Sequence, residues 1–255
     1  MSLDVALTPV GLTAGEVHGR LVFVIDILRA NTTICAALAA GARAVIPAST
    51  ADEAKRLAQT LGPQEALLAG ERQCVRIAGF ALGNSPLEVT PDQVRGRTVV
   101  LTTSNGTGAL LAAEGARQVV VAAAVNFALV AARIREAWMG GDDILIVCAG
   151  REHRFALDDG YTAGRLVEAA LAGERGRKGL SDAALAMLDL VRRYGRRWAL
   201  PLTRSASGRD LLKLGMRADI EVAATPDVYP VLPLLVDRRV VAAPVTGPTQ
   251  ASSTT

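Results

Sequence analysis

Leu21-Val-Phe-Val-Ile-Asp-Ile-Leu-Arg-Ala-Asn-Thr-Thr33 runs an aliphatic strand into an acid, an arginine and two hydroxyls, and a helical pattern follows over Thr32–Ala40. A strand with no polar alternation is covered on both faces, as in a parallel sheet with helices on each side. The same alternation recurs outward from this stretch. Leu21–Leu28, Ala44–Pro47, Ala66–Ala69, Thr98–Thr102, Gln118–Ala123 and Ile144–Cys148 read as buried strands. Ala51–Leu61, Gly106–Glu114, Phe127–Trp138 and Gly160–Ala172 read as the helices between them. The expectation is a three-layer α/β/α fold with a mainly parallel or mixed sheet.

Residues 1–173 carry this core. Glu174-Arg-Gly-Arg-Lys-Gly179 is a charged, glycine-broken connection, followed by helix-like Ser181–Tyr194 and Gly208–Leu214 and strand-like Asp219–Ala224 and Val240–Ala243. Residues 174–246 therefore read as a C-terminal subdomain or a continuation of the same fold, so the chain is one unit or two intimately packed subdomains. Tyr229-Pro-Val-Leu-Pro-Leu-Leu235 reads as a buried extended segment, with an apolar partner surface as the alternative. The Gly/Pro/Ser/Thr tail 247–255 is expected to be flexible.

Half of the 255 residues are apolar but only 4% are aromatic, so the core is built from small aliphatic side chains. The net charge of +3 includes the local cluster Arg192, Arg193, Arg196 and Arg197, which reads as a solvated helix end. Without interleaved aromatics or a recognition motif, nucleic acid is not an expected partner. Cys35, Cys74 and Cys148 have no ligand spacing and read as reduced thiols. Met1-Ser-Leu-Asp-Val lacks the basic and apolar regions of a signal peptide, and no apolar run reaches membrane-spanning length. The expectation is a cytoplasmic protein with no membrane partner, forming a homo-oligomer.

Three segments carry the chemistry. In the first, Asp26 can bind a hard cation, while Arg29, Thr32 and Thr33 can hold phosphate oxygens at a strand end. A strand-terminating acid and a helix-capping threonine explain the same residues, and this segment alone leaves both readings open. The second, Leu101-Thr-Thr-Ser-Asn-Gly-Thr107, puts five small polar residues before a helix. Ordinary capping needs one; Ser104, Asn105 and Thr107, with Gly106 admitting close backbone approach, read as an anion cradle that is not a Walker loop. The third, Cys148-Ala-Gly-Arg-Glu-His-Arg-Phe-Ala-Leu-Asp-Asp159, sets two carboxylates before a helix. Either alone is an N-terminal cap; both together after an arginine-bearing loop suit magnesium, which takes oxygen ligands and keeps waters. His18 and His153 read as a structural and a solvated residue, and Cys35 and Cys148 as core residues.

Asp26-Ile-Leu-Arg-Ala-Asn-Thr-Thr33, Ala69-Gly-Glu-Arg72, Gly79-Phe-Ala-Leu-Gly-Asn-Ser-Pro86, Thr102-Thr-Ser-Asn-Gly-Thr107 and Cys148-Ala-Gly150 through Asp158-Asp159, in this order, resemble the 2-phosphosulfolactate phosphatase family. Ser207-Gly-Arg-Asp-Leu-Leu-Lys-Leu-Gly215 with Asp219-Ile extends the resemblance toward Leu235. Departures from the family's wording fall at Asn31, Ser104 and Leu157. The resemblance implies a magnesium-dependent hydrolase that removes phosphate from 2-phospho-3-sulfolactate, a step toward coenzyme M in methanogens. A related small phosphorylated hydroxy acid is an open alternative substrate.

On this reading Asp26, Glu71, Asp158 and Asp159 supply or organise a magnesium shell, with Asp26, Arg29, Asp158 and Asp159 as the catalytic set. Thr32, Thr33, Ser104, Asn105, Gly106 and Thr107 hold phosphate, and Arg72, Arg151 or Arg154 takes the substrate's other acid group. Metal-activated water is preferred over Asp26 as nucleophile, because Asp26-Ile-Leu-Arg29 lacks a second aspartate two positions on. A non-catalytic anion-binding module is the alternative outside enzymes.

Overall fold

The computed structural model describes residues 1–172 and 177–243. The tail 247–255 and residues 174–176 of the charged connection lie outside the described residues. Within them, β1 (Leu3–Ala6), β2 (Leu21–Ile25), β3 (Ala44–Pro47), β4 (Ala66–Arg72), β5 (Val75–Arg76), β6 (Thr98–Thr102), β7 (Gln118–Ala122), β8 (Ile144–Cys148), β9 (Pro233–Val236) and β10 (Arg239–Ala242) form one mixed sheet in the order β1-β8-β2-β7-β9-β10-β3-β6-β4-β5. One parallel block is β1, β8, β2 and β7; the other is β3, β6 and β4. The antiparallel hairpin β9–β10 joins them, and β5 pairs antiparallel with β4.

Helices α1 (Ala14–Val17), α2 (Ala30–Ala39), α3 (Ala51–Leu61), α4 (Pro91–Val94), α5 (Gly106–Ala112), α6 (Phe127–Met139), α7 (Leu157–Leu171), α8 (Asp182–Tyr194), α9 (Ala199–Arg204), α10 (Ala206–Lys213) and α11 (Arg217–Ala223) flank the sheet. The chain thus has the expected α/β fold. None of the described helices is long and apolar enough to cross a membrane.

The continuous apolar strands are covered on both faces, and their pleat separates two cores. Leu21, Phe23 and Ile25 of β2 join Val120, Ile144 and Ile146 in a core with Val130 and Ile134 of α6 and Leu166 and Val167 of α7. Val22 and Val24 face the other way, among Val121, Leu145 and Val147 and Ile34 and Leu110 of α2 and α5. The helices close in where side chains are smallest. A Cβ at Gly164 of α7 would lie 2.1 Å from the Met187 carbonyl of α8, and one at Gly160 would lie 2.9 Å from the Met187 sulfur. These two glycines, one helical turn apart, set the α7–α8 contact.

Several readings change. β2 ends at Ile25 rather than Leu28, because the chain leaves the sheet where Asp26 begins the site loop. Asp219–Ala224 is not a strand but lies in and just after α11. Its alternation is overridden by burial of Asp219, Ile220 and Ala223, a helical spacing. The extended segment before Leu235 contributes β9, and Arg192 and Arg193 occupy the last turn of α8, where the helix dipole favours cations.

Candidate active site

Loops after β2, β6 and β8, the β4–β5 turn, Asn84 and the length of α10 from Ser207 to Lys213 enclose a cleft of about 550 Å³. Its walls include Asp26, Arg29, Glu71, Asn84, Ser104, Asn105, Arg151 and Asp210. Strand ends feeding helix starts are where an α/β sheet exposes unpaired backbone donors, which is why polar side chains collect there.

Asp26 is 7% exposed; its Oδ1 accepts from the Ala30 amide at 3.3 Å, at the start of α2. Its Oδ2 abuts α5: a Cβ on Gly106 would lie 2.4 Å from that oxygen and 2.5 Å from the Ala30 Cβ. Gly106 therefore admits the carboxylate rather than cradling an anion by itself. Asp158, 1% exposed, has an Oδ1 with no hydrogen-bond partner.

The other two acids are committed to backbone. Glu71 Oε1 accepts from the Ser104 amide at 2.8 Å and Oε2 from the Cys74 amide at 2.7 Å. Asp159 Oδ1 accepts from Ile27 at 3.1 Å and Oδ2 from Gly150 at 3.0 Å. Glu71 thus ties the β4–β5 turn to the loop after β6, and Asp159 ties the β2 loop to the β8 loop.

Burial penalises these charges, and neighbouring carboxylates add to the penalty at Asp26 and Asp159. Burial, then the charges of Asp158 and Glu71, pushes Asp26 up to about 7 against pull from the Ala30 amide and Arg29. Burial pushes Asp158 up to about 6, opposed by its own and the Asp159 amide and by the Ser205 and Ser207 hydroxyls. Asp159 is raised by burial and by the charges of Asp158 and Asp26. Cys74 at the cleft wall is raised by burial too, which keeps it a thiol.

The cations are held by acids from α10 and α11. Arg29, 4% exposed and following a cis Leu28–Arg29 peptide, donates from Nη1 to Asp219 Oδ2 at 2.6 Å and from Nη2 to the Cys74 carbonyl at 3.0 Å. Arg151 reaches Asp210 Oδ2 at 2.5 Å, and Lys213 pairs with the same carboxylate at 3.1 Å.

The remaining predicted residues fall in different places. Ser104 and Asn105 line the cleft, and Asn105 Oδ1 accepts from the Glu152 amide at 3.2 Å. Thr32 and Thr33 do not line it: their hydroxyls donate to the Ile27 and Asn84 carbonyls at 2.8 and 2.9 Å. Thr107 exchanges bonds with Thr103, and the Arg72 guanidinium donates to the Thr102 hydroxyl and the Glu71 carbonyl. Asn84, Cys74, Ser207, Asp210 and Lys213 also line the walls. Asn84 and Asp210 sit inside stretches that carried the resemblance, yet only tertiary contact marks them as cleft residues.

Buried Asp26 and Glu71 beside the fixed Arg29 and Arg151, in a cleft at strand ends, give an α/β protein a concave site for a small anion, with Asp158 and Asp159 outside its lining. The 2-phosphosulpholactate phosphatase family model matches residues 6–238. A probable 2-phosphosulfolactate phosphatase of Symbiobacterium thermophilum is 39% identical over 228 residues, 89% of this chain and 96% of that protein. One from Deinococcus radiodurans is 41% identical over 214 residues, covering 84% of this chain and 86% of its own. One from Caldanaerobacter subterraneus is 37% identical over 225 residues, covering 86% and 89%. The chain belongs to the 2-phosphosulpholactate phosphatase family and is accordingly an enzyme, a phosphoric monoester hydrolase.

Proposed function

We propose that this enzyme hydrolyses the phosphomonoester of 2-phospho-3-sulfolactate, or a closely related phosphorylated hydroxy acid, with magnesium held between Asp26 and Asp158. The observation that carries the reading is the unpartnered Asp158 Oδ1, buried within the electrostatic reach of Asp26. Two buried like charges with oxygen to spare fit a hard cation, and burial otherwise leaves them uncompensated.

Among the described residues, no three His, Cys, Asp or Glu side chains form a ready-made metal cage. Magnesium keeps several waters, so two carboxylates suffice, and Glu71 and Asp159 serve as the braces that aim them. When bound, the ion supplies charge neutralisation at the phosphoryl oxygens and acidifies a bound water. Arg29 presents a fixed positive charge at the cleft floor, held by Asp219, and Arg151 a second at the rim. These stabilise charge that spreads over the equatorial oxygens as the ester bond breaks. Ser104 and Asn105 position the phosphate, and Arg151 with Lys213 receives the acid group at the substrate's other end.

The test is phosphate release from 2-phospho-3-sulfolactate, phospholactate and phosphoglycerate, each in magnesium and in EDTA. The reading predicts release that needs magnesium and is fastest with the sulfonate. Equal release in EDTA removes the metal from the account, and a preference for phosphoglycerate removes the substrate.

A further inference from the structure

We propose that Asn84 is a catalytic residue that orients the water attacking phosphorus, an inference that rests on the hydrolytic reading above. Asn84 lines the cleft with Asp26, Arg29 and Ser104, is 5% exposed, and carries a buried Oδ1 with no hydrogen-bond partner. Leaving such an acceptor unmade is costly. The segment is pinned on every side: Thr33 donates to the Asn84 carbonyl at 2.9 Å, Ser85 to Asp219 Oδ1 at 2.6 Å, and the Gly83 amide to Glu88 Oε2 at 2.6 Å. Asn31 also has an unpartnered Oδ1, but it lies outside the cleft lining, and its Nδ2 ties the Val24 and Ala122 carbonyls of β2 and β7.

The missing partner must donate a proton. An ionised phosphomonoester that carries further acid groups offers acceptors only. The neighbouring cations are each anchored by an acid, Arg29 by Asp219 and Arg151 by Asp210, and neither donates to Asn84 Oδ1. Water is the donor that enters the cleft with such a substrate. A neutral amide oxygen can fix an attacking water without adding charge beside the phosphate, as glutamine does in some nucleotide hydrolases.

The step balances simply. A lone pair of the water forms the new P–O bond, and the pair of the ester P–O bond leaves on the alcohol oxygen. One water proton stays on the hydrogen phosphate formed. The other passes to solvent, which returns a proton to the departing alkoxide.

The test compares kcat and KM for phosphate release from 2-phospho-3-sulfolactate by wild type, Asn84→Ala and Asn84→Asp. The pins on the segment are backbone or neighbouring groups, so both variants keep them. Removing the acceptor in Asn84→Ala is expected to lower kcat about 10²-fold and to leave KM within about twofold. Asn84→Asp keeps an acceptor oxygen, so its kcat is expected to exceed that of the alanine variant, with KM raised by the added charge. A raised KM with wild-type kcat in Asn84→Ala, or an aspartate variant slower than alanine, would overturn the proposal, because the amide then donates to the substrate. A wild type silent on every phosphomonoester overturns the hydrolytic reading and this proposal together. An active wild type with an equally fast alanine variant overturns this proposal alone.

Discussion

Arg29 and Asp219 stand 190 residues apart in the chain and form a buried ion pair at 2.6 Å, with side-chain exposures of 3% and 5%. Asp219 also accepts the Ser85 hydroxyl, so one carboxylate joins α11, the Asn84 segment and the start of α2. Asp219→Ala leaves the Arg29 charge buried without its partner. It is expected to destabilise the protein by about 3–5 kcal/mol in urea unfolding and to depress kcat/KM. A loss near zero would mean that Arg29 finds solvent on its own.

Gly106 and Gly108 give a matched pair on one short helix. Gly106→Ala must displace the Asp26 carboxylate or Ala30, costing about 1–3 kcal/mol and most of the activity. Gly108 has nothing within 4 Å of a Cβ, so Gly108→Ala is expected to be neutral or stabilising by about 0.5–1 kcal/mol through helix propensity. Thermal unfolding and phosphate release on both variants check the pair.

The raised carboxylates fix the sign of the pH dependence. Asp26 moves from 3.8 to about 7 and Asp158 from 3.8 to about 6, so between these limits the folded state holds protons that the unfolded chain has lost. Their contribution favours folding below pH 4 and is lost as pH rises through about 7. In EDTA, the wild-type urea midpoint should carry a fall from this set between pH 4 and 7. Asp158→Asn should flatten that fall, and added magnesium should restore stability most at pH 8, where the acids are ionised. A profile identical in wild type and Asp158→Asn would contradict this assignment.

Arg151 and Arg72 separate by position. Arg151 lines the cleft and Arg72 leans on Thr102 outside its lining. Arg151→Ala should raise KM about tenfold or more, and Arg72→Ala should leave it within about twofold. Steady-state kinetics on the two variants, with KM as the readout, decides between them.

Much of the fold was legible because β2, β3, β6, β7 and β8 are short aliphatic runs that only a doubly covered strand requires. β9 was harder: Pro230 and Pro233 signal a loop, yet Pro233 opens a strand, where a missing amide is tolerated. β5 is two exposed residues whose pairing follows from the left-handed turn at Gln73 and Cys74. In the site, Asp26 and the Asp158-Asp159 pair stood out as acids at strand and helix ends, and Glu71 only through the family resemblance. Local sequence could not tell that both oxygens of Glu71 and Asp159 face backbone amides while Asp158 keeps one free. Nor could it tell that the Thr32 and Thr33 hydroxyls turn to carbonyls, or that Asp219 reaches back to Arg29. Those facts depend on tertiary contacts, the longest across 190 residues, or on which way a hydroxyl turns.

The most direct test of the paired-carboxylate site is calorimetric titration of magnesium into the metal-free protein at pH 8, for wild type, Asp26→Asn, Asp158→Asn and Thr32→Val. The account predicts saturable binding by wild type and Thr32→Val and its loss in both asparagine variants. No binding by folded wild type, or undiminished binding in Asp26→Asn and Asp158→Asn, would contradict it.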